Sequence, residues 1–317
     1  MKKLENIGQK IYFKLRLGKM LSSVERTFWK PYMVMDAKQT IDYIVKTNCS
    51  VARFGDGEFS IVAYGCSLGF QRADKQLKKS LIEVMHYQGA ELLLCLPSWA
   101  GWPNLNDVEK LRTLGPIHQH GIENNLYDWM KYFSRNRVYG DANISRVTDT
   151  TSFESRMEQI NYTKRIWNGR EVILVEGSKT RFGVGNDLLD NAISVSRIIG
   201  PAESGFDCIE ELVNACEKEC EKHQNSLVLL AFGPTATVMA WRLQCKGIQA
   251  VDIGHLDIVY EVAIHNALNG DDAQTIPVPR KYAVPGKYTN EAIDGNLVEE
   301  CNDVQYLQQV VYKCTKL

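Results

Sequence analysis

The chain has 317 residues, 44% hydrophobic and 24% charged, the composition of a globular protein long enough for one large α/β domain or two smaller ones. A formal net charge of −1, with basic residues dispersed beyond the N-terminal region and no recognition module, argues against nucleic-acid binding. No apolar run approaches the roughly 20 residues of a spanning helix, no secretory signal pattern is present, and the nine cysteines, odd in number and without a Cys-x-x-Cys pair, read as reduced thiols; a cytoplasmic protein is expected.

Residues 1–35 carry eight Lys/Arg against Glu5 and Glu25, so +6 there leaves −7 for the rest. Leu4, Ile7, Ile11, Phe13, Leu15, Leu17, Met20 and Leu21 interleave with those charges. Two readings of this basic arm stand side by side: an amphipathic helix on the anionic inner face of the plasma membrane, or a solvated helix packed on its own domain.

From residue 50 onward, short aliphatic runs ending in Gly or Pro alternate with stretches of helical period. "SVARFG" runs into "RFGDGEF" (53–59), which sets Asp56 and Glu58 either side of a glycine. Two hard oxygen ligands in a glycine-bracketed turn suit Mg²⁺ or Mn²⁺ bridging a diphosphate, with Arg53 beside it for phosphate; an acid at the start of a helix explains the same residues. A helix is expected over 73–88 and a strand at "AELLLCLP". Residues 97–150 read as a helical insertion or lid, where Trp99 and Trp102 suit either stacking on a sugar or aromatic packing beneath the lid, and His118 and His120 suit a metal pair but, with no third ligand nearby, read as a polar lid surface.

"REVILVEG" predicts a strand followed by "GSKTRFGVGNDLL", a glycine-rich loop before a helix that suits an anion or sugar nucleotide, with Arg181 adding a fixed positive fork, or else a merely tight strand-to-helix connection. After the strand "SVSRIIGP", a helix over 207–222 places Cys216 and Cys220 on one face. "SLVLLAFGP" leads into a helix over 235–246, with Thr235 and Thr237 beside its orphan amides. "IQAVDIG" ends at "HLDIVYE", where His255, Asp257 and Glu261 could act as base, metal ligand or hydroxyl acceptor. The Pro-dotted "TIPVPRKYAVPGKY" reads as a wrapping segment. The alternation predicts an α/β fold, a mostly parallel sheet with helices on both faces, whose ligands gather beyond the carboxyl ends of the strands.

Together "RFGDGEF", "VILVEGSKTRFGVGNDLL", "FGPTATVMAWRL" and "AVDIGHLDIVYE" resemble the GT-D fold glycosyltransferase family, first recognised as a bacterial domain of unknown function, over roughly residues 36–312. The resemblance implies a single Rossmann-like domain at 36–317 behind the arm 1–35, a nucleotide-sugar donor (UDP-glucose in the best-known member), and a divalent cation usually given as Mn²⁺. Carried over by position, Asp56 and Glu58 serve the metal. Arg53, Arg181, Gly183, Gly185, Asn186 and Asp187 match the arginine and Gly-x-Gly-Asn-Asp positions, and His255 and Asp257 match the Gly-His-x-Asp segment. Thr235 and Thr237 complete the expected donor site. The reaction so implied is transfer of a hexose, glucose first, from a UDP-sugar to a hydroxyl of a growing glycan, either a lipid-linked polysaccharide precursor or a glycoprotein glycan. His255 or Asp257 would orient or deprotonate that hydroxyl. The sequence "AWRL" after the threonines and "YEV" in place of "YEW" depart from the family pattern on the acceptor side. The same carboxylates would serve a nucleotide-diphosphate hydrolase or a non-catalytic nucleotide-sugar binder.

Overall fold

The fold comes from a computed structural model, which describes residues 18–146, 153–268 and 303–315. The first seventeen residues of the basic arm and the Pro-dotted stretch lie outside the described residues. The strands are β1 (Met33–Val34), β2 (Ser50–Arg53), β3 (Leu92–Leu96), β4 (Val138–Asp141), β5 (Glu171–Gly177), β6 (Ser194–Gly200), β7 (Ser226–Ala231), β8 (Ala250–Asp252) and β9 (Val310–Lys313). They form one sheet in the order β1-β4-β3-β2-β8-β7-β5-β6-β9, every neighbouring pair parallel. The fold is α/β and Rossmann-like.

Both faces of the sheet are covered, which is why β3, β5 and β7 are near-continuous aliphatic runs rather than alternating ones. One face packs against Leu77 and Leu81 of the helix Lys75–Met85, Leu212 of Ile209–Cys220, and Val238 and Met239 of Pro234–Gln244. The other packs against Ile41 and Ile44 of Ala37–Thr47, Ile160 of Phe153–Thr163, and Leu256 and Tyr260 of Leu256–Leu268. Helix starts are chemically marked. Asp36 and Gln39 form a reciprocal capping box, Asp74 accepts from the Leu77 amide at 2.8 Å, and Pro234 occupies the first turn of its helix.

All six strands expected from the aliphatic runs are present, and β1, β4 and β9 are additional. β4 corrects the picture of 97–150 as a purely helical insertion, because this segment also supplies a strand between β1 and β3. Gly140 in β4 faces Cys95, where a Cβ would come within 2.5 Å of the sulfur, so the strand is selected by close packing rather than by an aliphatic pattern. Residues assigned to the arm on charge also join the fold: Trp29 and Tyr32 are buried in the core, and β1 forms the sheet edge.

From β2 the chain steps outward to β3, whereas β8 hands over to the helix Leu256–Leu268 and β9 lies at the far edge. Loops leaving β2 and β8 therefore diverge, opening a crevice at the carboxyl ends of the central strands.

Candidate active site

The motif "RFGDGEF" turns directly from β2 into a helix at Asp56–Phe59 that continues as a π-helical turn over Ser60–Tyr64. Glu58 Oε2 accepts from the Gly55 amide at 2.8 Å, so this carboxylate does close the helix start, using one oxygen. Buried Phe59 stacks on Trp129 at 4.7 Å and pins the turn to the core. Asp56, one helical position in, faces Arg146 at 3.9 Å. Burial pushes the Glu58 carboxyl up to about 7, and the neighbouring carboxylates Asp252 and Asp56 push the same way against the Gly55 hydrogen bond.

Arg53 lines the cleft, and both terminal nitrogens of its guanidinium have protein partners, while Nε has none among the described residues. It donates to Asp252 Oδ1 at 3.0 Å, to the Ala142 carbonyl at 2.9 Å and to Ser145. Asp252, the last residue of β8, is buried, and burial raises its carboxyl despite that arginine. Gly254 makes the pair possible: it sits at φ +49°, and a Cβ there would lie 1.8 Å from Arg53 Nη2.

The loop after β5 divides in two. Gly177, Lys179 and Thr180 line the cleft, while the Gly-x-Gly-Asn-Asp portion is anchored to the helix Leu256–Leu268. Asp257 Oδ1 accepts from the Gly183 amide at 3.0 Å and from Asn186 Nδ2 at 2.9 Å. Asn186 also donates to Glu261, and Asp187 accepts from Tyr260 and from Lys164 at 2.9 Å. Arg181, Gly183 and Gly185 have φ of +50°, +73° and +81°, a run of left-handed backbone that these anchors hold. Buried Glu176 adds a further tie, accepting from the Phe182 amide and from Arg197, both at 2.6 Å. Asp257 is itself buried, so its described contacts position the loop.

The two threonines are buried and act as internal ties. Thr235 donates to Gln71 Oε1 at 3.1 Å, and Thr237 donates to the Arg53 carbonyl at 3.0 Å, tying the helix Pro234–Gln244 to the end of β2. Trp99 is 1% exposed, packed among Phe59, Trp129 and His118, so of its two readings, sugar stacking and aromatic packing, the second holds: its ring is core.

Two adjoining cavities result. One, of about 280 Å³, is bordered by Asp56, Glu58, Asp252, His118, Asn143 and Arg146; the other, of about 120 Å³, by Gly177, Lys179, Thr180, Gln71 and Phe232. Phe70, Gly233, Gly254 and His255 border both. His255 thus stands at the junction, beside the carboxylates on one side and the glycine-rich loop on the other. Asp252, Asn143 and Arg146 are not marked as site residues by the sequence, which offers His118 only as half of a metal pair or part of a polar lid surface. For Asp252 the strand-end position was a usable signal, whereas Asn143 and Arg146 follow β4, which the aliphatic pattern missed.

Asp56, Glu58 and Asp252 border one cavity and offer hard oxygen donors of the kind a divalent cation takes; Asp252 is paired with Arg53, Asp56 lies 3.9 Å from Arg146, and the Glu58 carboxyl has carboxylate neighbours. Among the described residues, the group of three possible ligands whose ligand atoms all lie within 4.8 Å of one another is Cys208, Glu211 and Cys314, near β9. There Glu211 is already engaged by Tyr312 at 2.7 Å and the Thr315 amide at 2.9 Å.

The model of the glycosyltransferase GT-D fold family matches residues 51–292, a span that contains all four motifs. The chain belongs to the GT-D fold glycosyltransferase family. It is 32% identical over 267 residues to Glycosyltransferase GlyD of Streptococcus pneumoniae serotype 4 (strain ATCC BAA-334 / TIGR4), covering 81% of this chain and 32% of that protein. It is also 32% identical over 232 residues to the probable glycosyl transferase Gly of Streptococcus gordonii, covering 72% of this chain and 32% of the relative. The chain therefore spans about a third of the length of the curated relatives it matches. Among solved structures, a DUF1792 glycosyltransferase from Streptococcus sanguinis superposes with a TM-score of 0.70 at 29% identity, covering 90% of this chain and all of that one. A domain described as having a distinct glycosyltransferase fold superposes with a TM-score of 0.69 at 25% identity, covering 95% and 99%. This GT-D chain shares its fold with those domains over nearly the whole of their length.

Proposed function

We propose that this chain transfers a hexose, glucose first, from a UDP-sugar to a hydroxyl of a growing glycan, with Mn²⁺ or Mg²⁺ bound at Asp56 and Glu58. The observation that carries the reading is that four motifs, spread over two hundred residues of sequence, border two adjoining cavities, the larger of which holds Asp56, Glu58 and Asp252 together, with Glu58 beside the other two carboxylates. When bound, the cation supplies charge neutralisation for the diphosphate leaving group. Lys179 and the backbone of the glycine-rich loop accommodate the nucleotide side, with Arg181, Gly183, Gly185, Asn186 and Asp187 fixing the loop's shape. Arg53, Thr235 and Thr237 hold the strand end that carries the carboxylates. His255 orients or deprotonates the acceptor hydroxyl, and Asp257 serves the reaction as a positioning residue through the loop.

The acceptor we assign is a lipid-linked precursor, met at an anionic membrane face. Among the described residues no helix is long and apolar enough to cross a membrane. Yet the helix over 18–27 and the residue after it are inside out: Ser22 is buried, whereas Met20, Val24 and Phe28 are 57%, 53% and 77% exposed. An apolar stripe flanked by exposed Lys19 and Lys30 suits interfacial binding.

The test is UDP release from a panel of UDP-sugars, with and without Mn²⁺, for wild type, Asp56→Ala and Glu58→Ala, each with and without acceptor. Metal-dependent release from one donor, lost in both variants and raised by acceptor, supports transfer. Release indifferent to acceptor makes the chain a hydrolase, and absence of both release and Mn²⁺-dependent UDP binding refutes the site.

A further inference from the structure

His118 lies in the first turn of the helix Pro116–Asn124, on the wall of the larger cavity facing Asp56 and Arg146. Its ring is fixed on two sides by aromatic edges, Trp99 at 6.2 Å and Trp129 at 5.8 Å. Trp129 in turn stacks on Phe59, the residue after Glu58, so the imidazole and the carboxylate turn rest on one aromatic floor. Gly121, one turn along the same helix, admits that floor, since a Cβ there would stand 2.1 Å from the Trp129 ring.

The protonation pattern of the ring follows from its partner. Trp99 Nε1 donates to His118 Nδ1 at 3.1 Å. An indole nitrogen can only donate, so Nδ1 must present a lone pair, and the proton of the neutral ring is on Nε2. Burial lowers the basicity of this imidazole, outweighing the nearby Asp56 carboxylate, which favours the neutral form. His118 borders the cavity that also holds Asp56, Glu58 and Asp252, and with Nδ1 held by Trp99 the ring nitrogen left to meet a ligand there is the protonated, uncharged Nε2.

We propose that His118 is a catalytic residue that donates its Nε2–H to a diphosphate oxygen of the bound nucleotide-sugar, with Trp99 as the positioning residue that fixes the tautomer. This rests on the donor reading above. A neutral, pre-oriented donor stabilises the charge that builds on the departing diphosphate without having to lose a proton, and so does not compete with His255 for the role of base.

Two measurements test it. Nitrogen-15 spectra of histidine-labelled protein without ligand should show His118 as the Nε2–H tautomer at neutral pH, turning to a mixture in Trp99→Phe; an Nδ1–H or imidazolium ring overturns the proposal. Calorimetric titration with UDP and Mn²⁺, paired with UDP-glucose turnover, compares His118→Gln, which keeps an N–H donor, with His118→Phe, which does not. Expected are near-wild-type UDP affinity and turnover in the glutamine variant and losses of about tenfold or more in the phenylalanine variant, with unchanged thermal unfolding. Equal losses in both variants, wild-type behaviour of His118→Phe, or a change confined to the KM for the sugar with UDP affinity intact each overturn it. Wild type with the expected tautomer but no affinity for UDP instead refutes the donor reading, and the proposed ligand with it.

Discussion

Replacing Arg53 by methionine tests whether this arginine is a clamp inside the fold. The side chains of Arg53 and Asp252 are 11% and 5% exposed and meet at 3.0 Å, and Arg53 also holds the Ala142 carbonyl. Removing one partner of a buried pair leaves an uncompensated charge and costs about 3–5 kcal/mol, a large part of the roughly 5–15 kcal/mol of a typical domain. Asp252→Asn leaves Arg53 its carbonyl and hydroxyl partners, so we expect a smaller loss of about 1–3 kcal/mol. Because the two groups touch, the double variant should fall short of the sum of the singles by about 1 kcal/mol or more. The sign with pH follows from burial. Without the guanidinium, the Asp252 carboxyl in the folded state rises further above its unfolded value of about 3.9, so the folded state of Arg53→Met binds the proton more readily and the penalty shrinks as pH falls from 8 to 5. Urea unfolding of the four proteins at both pH values is the assay. Additive singles, or a loss below about 1 kcal/mol in Arg53→Met, would refute the clamp and return Arg53 to the ligand.

Gly254→Ala should destabilise the protein and weaken UDP binding together, because the added methyl falls 1.8 Å from Arg53 Nη2 at a residue already at φ +49°; thermal unfolding and calorimetry check both. Glu171 and Glu219 raise the basicity of His223, from 3.0 Å and 3.3 Å. Its stabilising contribution is therefore full below the unfolded pKa of about 6.5 and lost as pH rises through the folded value, so the difference in Tm between wild type and His223→Gln should be larger at pH 5.5 than at pH 8.5. Phe28→Glu and Val24→Glu should abolish co-sedimentation with vesicles containing anionic lipid while leaving thermal unfolding unchanged. Lys30→Gln, which removes one charge, should weaken it about fivefold, and a wild type that ignores anionic vesicles would rule out the membrane contact.

The sequence determined the parts of this protein that depend on neighbours along the chain. Aliphatic runs closed by Gly or Pro marked β2, β3, β5, β6, β7 and β8, because the stretches of a parallel strand that are covered on both faces are mostly apolar. The four polar clusters at their ends marked the cleft, because parallel strands place all their carboxyl ends on one side. Tertiary structure decided what depends on partners far away. Arg53 reads as a phosphate ligand beside two acids, and only the fold shows that Asp252, 199 positions on, accepts from its guanidinium. Asp257 reads as an acid or base, and only the fold shows the Gly183 amide, 74 positions away, on its carboxylate. β4 carries little local signal, since "VYGD" is chosen by what Gly140 must admit, and Trp99 and His118 exchange a hydrogen bond that no spacing announces. Local patterns encode which face of an element is apolar. The partner of a buried charge is fixed only when the fold removes water and one neighbour remains within reach.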